Sequence, residues 1–385
     1  MTTETRTRVK LTATRKSPWA ELIQKIGPGF RERAAEHDQR LTFVERNYVA
    51  LKEHRIFAAG IPEELGGGGA SHADICSVIR LLAHYCSSTA LAHSMHQHLV
   101  AANVWKYRKG QGAEEMLRRV AEQQPVLVST GARDWLESNG EMTRTARGFL
   151  VSASKAFASQ SSVGNILVTS APYEDPEKGS LVHHFSVPFT ADGLSIMNDW
   201  DTMGMRGTGS HTVRLEEVFV PDEAIVLTRA RGEFHPFWNV ILTVAMPLIM
   251  AAYVGIAERA AEIALATARK RKNKTHLPYE IARMNNTLTT AQVHHNDMIR
   301  IADNFNFEPI QDHAHEILTR KTIVADSCIA TVSKAMDIAG GQGFYRSFGL
   351  ERLFRDVHGA KYHPLQEMDQ LLFCGNYLLD QDMVK

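Results

Sequence analysis

The stretch RDVHGAKYHP, residues 355–364, concentrates groups that could do chemistry. A guanidinium and a carboxylate, Arg355 and Asp356, stand side by side, and His363 follows seven residues after the aspartate. An imidazole ionises near neutrality and can donate a hydrogen bond or a proton. His363 also precedes Pro364, and the residue before a proline is pushed out of helical geometry, so the same histidine reads equally as a helix boundary. Other imidazoles invite a metal reading, with His294, His295, His313 and His315 beside Glu316. Adjacent helical positions point about 100° apart, so neither neighbouring pair shares a face. Without an ExxH or HExxH pattern no metal site is expected. A hydrolase is not expected either, because no nucleophile elbow is present.

Three zones of different texture must hold these groups in place. Residues 17–124 space apolar residues three and four apart in LTFVERNYVALKEHRIFAAG and ADICSVIRLLAHYCSSTALAHSMHQHLVAANVWKY, which predicts helices. GIPEELGGGG between them makes a loop through Pro62 and its glycines. From 125 to 228 the period changes to two, with Val, Thr and Phe enriched and Gly, Asp and Pro as punctuation. That pattern predicts antiparallel strands in a small barrel or sandwich. From 235 to 385 long amphipathic stretches return, three or four helices suited to a bundle. The expected fold is therefore α+β and multidomain, with an N-terminal α-helical domain, a central β-barrel or sandwich, and a C-terminal four-helix bundle.

The 385 residues carry 43 basic and 43 acidic side chains with 44% hydrophobic content, an ordinary globular composition. Zero net charge gives no footprint for nucleic acid or an anionic membrane. The run RKRKNK, 269–274, reads as a solvated helix end. The four cysteines, Cys76, Cys86, Cys328 and Cys374, form no CxxC pair and suit a reducing cytoplasm. The N-terminus has no apolar core of a secretory signal, and no run of about eighteen apolar residues is evident, so a cytoplasmic protein with no membrane span is expected.

The order of zones, together with four motifs, resembles the acyl-CoA dehydrogenase superfamily from about residue 20 to 380. The motifs are GIPEELGGGG, KAFASQSSVGNILVTSA (155–171), MGMRGTGSHTVRLEEVFVP (203–221) and AGGQGFYRSFGLERLFRDV (339–357). The resemblance implies a flavin between the β-domain and the bundle of a homotetramer, FAD in preference to FMN, bound tightly or taken up reduced as a co-substrate. It places Thr130 and Ser159 as hydroxyls on the flavin, Phe157 as an aromatic cover, and Arg206, Arg269, Asp337, Gly340 and Gly341 as further cofactor contacts. Glycines without a Cβ would let the backbone approach a flat ring or a pyrophosphate. Gly340-Gly341 would equally cap a helix. Three departures stand out. GARDWLESNG replaces the acidic, glycine-rich stretch that holds a thioester, RKRKNK lacks the Phe-Gly that follows Arg269's counterpart, and Asp337 stands where Gln is common.

A dehydrogenase of this family needs a carboxylate to remove an α-proton. Its usual position, eight residues after Asp356, is Pro364, and the alternative position on the first bundle helix falls in the wholly apolar VILTVAMPLIMAA. Glu367 is a candidate relocated base. The spacing of His363 is similar to that in the flavin monooxygenases of the superfamily, the dibenzothiophene monooxygenases among them, where it implies a histidine at the flavin's C4a side. ALAHSMHQHLVAA resembles the segment that supplies a second histidine in that branch, which implies His96 or His98 here, with His98 preferred. The readings in order are a monooxygenase fed by a partner flavin reductase, an acyl-CoA dehydrogenase with a relocated base, and a non-catalytic flavin or acyl-thioester binding protein. Trp105, Trp135 and Trp238 would suit a small organic substrate but equally a plain core.

Overall fold

The computed structural model describes residues 17–131, 136–271 and 274–381. The N-terminal zone folds into α1 (Pro18–Arg40), α2 (Glu45–Glu53), α3 (His72–Tyr85), α4 (Ser87–Arg108) and α5 (Glu114–Gln123). Their starts are written locally. The Ser17 hydroxyl accepts the Ala20 N–H ahead of Pro18, and Ser71 with Asp74 forms a reciprocal capping box on α3. The GIPEELGGGG loop lies between α2 and α3, as its breakers predict.

Two four-stranded sheets make the middle zone. The first pairs β1 (Leu127–Ser129), β4 (Ile166–Asp175), β5 (Gly179–Pro188) and β8 (Ile225–Ala230) in that order, and β1 runs parallel to β4 rather than antiparallel. The second is ordered β2 (Glu141–Thr145), β3 (Gly148–Lys155), β7 (Val213–Pro221), β6 (Leu194–Ile196). Phe149, Val151, Val218 and Val220 alternate inward along the central β3–β7 ladder.

The C-terminal zone is built on α6 (Phe237–Arg269), α7 (Leu277–Ala302) and α8 (Gln311–Ala339), with the shorter α9 (Leu350–Val357) and α10 (Glu367–Leu378) packed on α8. α6 corrects one expectation. By length and composition it could cross a membrane, yet its most apolar window is 94% buried within the protein. A helix apolar on every side is one that other elements surround, and here α3, α4, α7 and α8 do so. Pro247 removes one rung of its ladder. Imidazoles from two neighbours bond carbonyls beside it, His72 on Val244 and His295 on Pro247, both at 2.9 Å. His295 is thereby part of the core. All four cysteines are free and buried.

Candidate active site

The Arg-Asp pair fastens domains together. Asp356, 2% exposed, accepts the Met205 N–H at 2.6 Å. Burial pushes its carboxyl above the usual range while the Met205 amide pulls the other way. Arg355 turns outward, grips both carboxylate oxygens of Asp38 at 3.0 and 2.7 Å, and donates to the Met203 carbonyl at 2.9 Å. A Cβ on Gly204 would overlap the Arg355 carbonyl, so only glycine permits this approach of the β-domain to α9.

His363 follows a 3-10 turn over 358–362 and has extended backbone, φ −76° and ψ 148°, as its proline predicts. Its Nε2 lies 2.6 Å from the phenol oxygen of Tyr253, which is fully buried on α6. Burial raises the Tyr253 pKa well above the ordinary phenol value, so the phenol keeps its proton. With His363 its one hydrogen-bond partner among the described residues, that proton is donated to Nε2. The imidazole proton then sits on Nδ1, an assignment that follows from the hydrogen-bond pattern. Burial, and after it the charges of Lys321 and His98, lower the His363 pKa to about 3. The expectation of an imidazole titrating near neutrality is thereby revised. His363 is a neutral N–H donor across the ordinary working range. Gly359 makes room for this pair, since a Cβ there would meet the Tyr253 oxygen at 2.8 Å.

His98 and His96 separate clearly. His98 on α4 is 8% exposed, and burial, partly opposed by a hydrogen bond to the Ser94 backbone, lowers its pKa to about 4. It is close enough to His363 to perturb it electrostatically. His96 is fully buried, and both ring nitrogens serve the backbone. Nδ1 accepts the Leu127 N–H at 3.2 Å, and Nε2 lies 3.1 Å from the Phe57 carbonyl. With both nitrogens engaged it pins α4 to β1, a structural duty in place of the catalytic one expected for it.

The β-domain brings up a second group. Phe157, at φ 58°, is 59% exposed and meets Trp200 edge to face at 5.9 Å. Trp200 in turn donates its indole N–H to the Met205 carbonyl at 3.1 Å, next to Asp356's anchor. Ser159, Ser210 and Thr208 form a chain of hydroxyls at 2.8 and 2.7 Å, and Thr208 donates to the Met205 carbonyl at 2.9 Å. Each hydroxyl has one proton. With that of Thr208 spent on Met205, Ser210 donates to Thr208 and Ser159 to Ser210. Ser159 therefore keeps its lone pairs free to accept. Arg206 is at the same corner, its Nε buried without a partner among the described residues. Thr130, at the end of β1, shares a hydroxyl contact with Thr169 at 3.1 Å.

The remaining predicted contacts are elsewhere in the chain. Arg269 and Asp337 are exposed near the C-terminal ends of α6 and α8. Gly340, at φ 63°, caps α8, and Gly341 is open on the side where a Cβ would stand. Tyr253 and Arg269 are sixteen positions apart on one helix, about 24 Å at 1.5 Å per residue. Within one chain, then, the predicted residues fall into two groups. The side chain that reaches the glycine turn is Arg271, which donates to the Ile338 carbonyl and to Gln342, each at 3.4 Å. Arg271, Tyr253 and Lys321 escaped the sequence reading, for their roles depend on helix packing and not on a motif. Trp105 is core, Trp135 lies outside the described residues, and so does part of GARDWLESNG.

The exposed Phe157, the free lone pairs of Ser159 and the orphaned Arg206 Nε fit a flat, polar-edged aromatic cofactor better than they fit solvent. Comparisons agree with that geometry. Residues 26–124 match the acyl-CoA dehydrogenase N-terminal domain and residues 248–367 the acyl-CoA dehydrogenase C-terminal domain. A putative acyl-CoA dehydrogenase of Bacillus subtilis, YdbM, is 27% identical, over 90% of this chain and 92% of its own. The amino sugar nitrososynthase DnmZ of Streptomyces peucetius is 25% identical, over 93% and 92%. The FMN-bound structure of TdsC, a dibenzothiophene monooxygenase of Paenibacillus sp. A11-2, superposes with a TM-score of 0.83 at 17% identity and covers 94% of this chain and 98% of that one. From the two matched domains flanking a β-domain in the same order, the chain belongs to the acyl-CoA dehydrogenase superfamily, among flavin-dependent oxidoreductases.

Proposed function

We propose that this protein is a reduced-flavin-dependent monooxygenase of a small organic substrate, supplied with flavin by a partner reductase. One observation carries the reading. Where a dehydrogenase of the superfamily would place its base, this chain has Pro364, flanked by a neutral His363 locked to Tyr253. The buried carboxylate nearby, Asp356, is committed to Met205. Glu367 is exposed in the first turn of α10, toward the Lys321 ammonium.

Phe157 and Trp200 would cover one side of the flavin, Ser159 would accept a hydrogen bond from it, and Arg206 would lend its free N–H. When bound, the flavin supplies the electrons and the activation of oxygen. The chain's own part is to hold a hydrogen-bond donor, the Nδ1–H of His363, at a point fixed by Tyr253. Such preorganised donors stabilise developing negative charge without reorganising. His98, buried on α4 and near enough to His363 to act on its charge, is the second donor or acceptor of the site. The exposed apolar side chains of α10, among them Met368, Leu371 and Leu372, are the surface we assign to contacts between copies in a homotetramer.

The deciding experiment supplies enzymatically reduced FMN or FAD in air with a panel of organic sulfides and amines, and separately adds acyl-CoA thioesters to the flavin-loaded protein without oxygen. Oxygenated product in the first assay and no bleaching in the second is expected. Bleaching by an acyl-CoA would overturn the reading in favour of a dehydrogenase.

A further inference from the structure

Lys321 is the most anomalous charged residue beside this site. It projects from α8, is 1% exposed, and has no carboxylate within ion-pair distance among the described residues. Its single hydrogen bond there is from Nζ to the Leu365 carbonyl at 2.8 Å. Burying an ammonium without a counter-ion is costly, and an aliphatic side chain of similar volume would favour stability. Leu365 lies two residues beyond His363, in the turn that leads into α10. The turn is thus held twice, by the Tyr253 phenol on the His363 ring and by the Lys321 ammonium on the backbone just past it.

We propose that Lys321 is a positioning residue for His363, fixing with Tyr253 the height and rotation of the ring above the site. Lys321 also acts as a charge. It disfavours the imidazolium, so the ring remains a neutral Nδ1–H donor. The groups that face this pair are Asp326 on α8 and Glu367 on α10 toward the ammonium, and His98 on α4 and Tyr253 on α6 toward the imidazole. The proposal rests on the reading of His363 as the site's donor.

The test compares Lys321→Met, Lys321→Gln and Lys321→Arg in the full-length protein. Magic-angle-spinning NMR of 15N-histidine-labelled protein at pH 7 reads the His363 tautomer directly, its signals being those lost in His363→Gln. Wild type should show protonated Nδ1 and bare Nε2. Lys321→Met loses both bond and charge, and Lys321→Gln loses the charge and falls short of the carbonyl, so both should give a mixture of tautomers. Lys321→Arg should restore the wild-type pattern. Product formed per flavin consumed should fall roughly ten- to a hundred-fold in the Met variant, as expected when a reacting group is misplaced by about 1 Å. Should Lys321→Met fail to fold, Lys321→Gln carries the same NMR comparison. Wild-type His363 signals in a folded Met or Gln variant would overturn the proposal. The NMR needs neither flavin nor turnover, so shifted signals in a protein that oxygenates nothing would support Lys321's role while rejecting the monooxygenase reading.

Discussion

At the scale of single residues, the site depends on which atoms keep their protons. His363→Ala removes the donor and should leave oxygen reduction intact while diverting it to free peroxide. Tyr253→Phe should do the same in milder form, because the ring survives but its tautomer is no longer fixed. Peroxide and product measured together in each variant check this, and a Tyr253→Phe enzyme coupled as tightly as wild type would separate the phenol from the mechanism. Ser159→Ala removes one hydrogen-bond partner worth about 0.5–1.5 kcal/mol, so flavin affinity should drop about three- to tenfold with little change in melting temperature. Flavin titration and calorimetry report the two quantities separately. These residues differ in how far sequence revealed them. The extended backbone of His363 was legible because it precedes a proline. His98 was preferred over His96 by resemblance alone, since two positions apart on a helix says nothing of which ring meets the Phe57 carbonyl. The direction of the Ser159 hydroxyl was illegible, for it is set by Thr208 and Met205 some fifty residues away.

Among elements, the contact of α9 with residues 203–206 does the most to assemble the site. Asp356→Ala would leave the Met205 N–H buried without an acceptor, at a cost of about 1–3 kcal/mol. Asp356→Asn keeps an acceptor oxygen and should retain most of that stability. Thermal melting of both variants measures the difference, and equal losses would show that charge, rather than the hydrogen bond, holds the joint. The helices themselves were plain in the spacing of apolar residues, and so was the switch to strands near residue 125. Two features were not. The strand β1 is three residues long, too short to show an alternation, and its parallel pairing with β4 is made by tertiary contacts. In α6 the apolar run through 240–257 hid both its orientation and its capacity to pass for a membrane span.

For the whole molecule, buried imidazoles dominate the response to acid. Burial is the leading cause that lowers the pKa of His72 and His98 to about 4, and of His96, His184, His295 and His363 to about 3, from 6.5. The folded protein therefore binds fewer protons than the unfolded chain between about 3 and 6.5. The stability these groups contribute is fully present above 6.5 and is lost as pH falls through that window, by about 1.4 kcal/mol per group and pH unit at most. Melting temperature should be nearly flat from pH 8 to 7 and drop steeply from 6.5 to 5. Carboxylates such as Glu258, which burial would raise but which Arg80 and His84 hold down to about 2, add their loss only at lower pH. A flat profile to pH 5 would show that these rings gain protons without opening the core. Assembly is checked at the same scale. Light scattering should give a tetramer for the wild type, and Leu371→Glu with Leu372→Glu should shift it to smaller species.

The encirclement of α6 also has a consequence for how the chain is made. Synthesis runs from the N-terminus, so when α6 leaves the ribosome its covers α3 and α4 already exist, whereas α8 begins more than forty residues later. For that interval a segment as apolar as a membrane span has half its surface uncovered. The nascent protein must shelter it against the earlier helices or in a chaperone until α7 and α8 arrive.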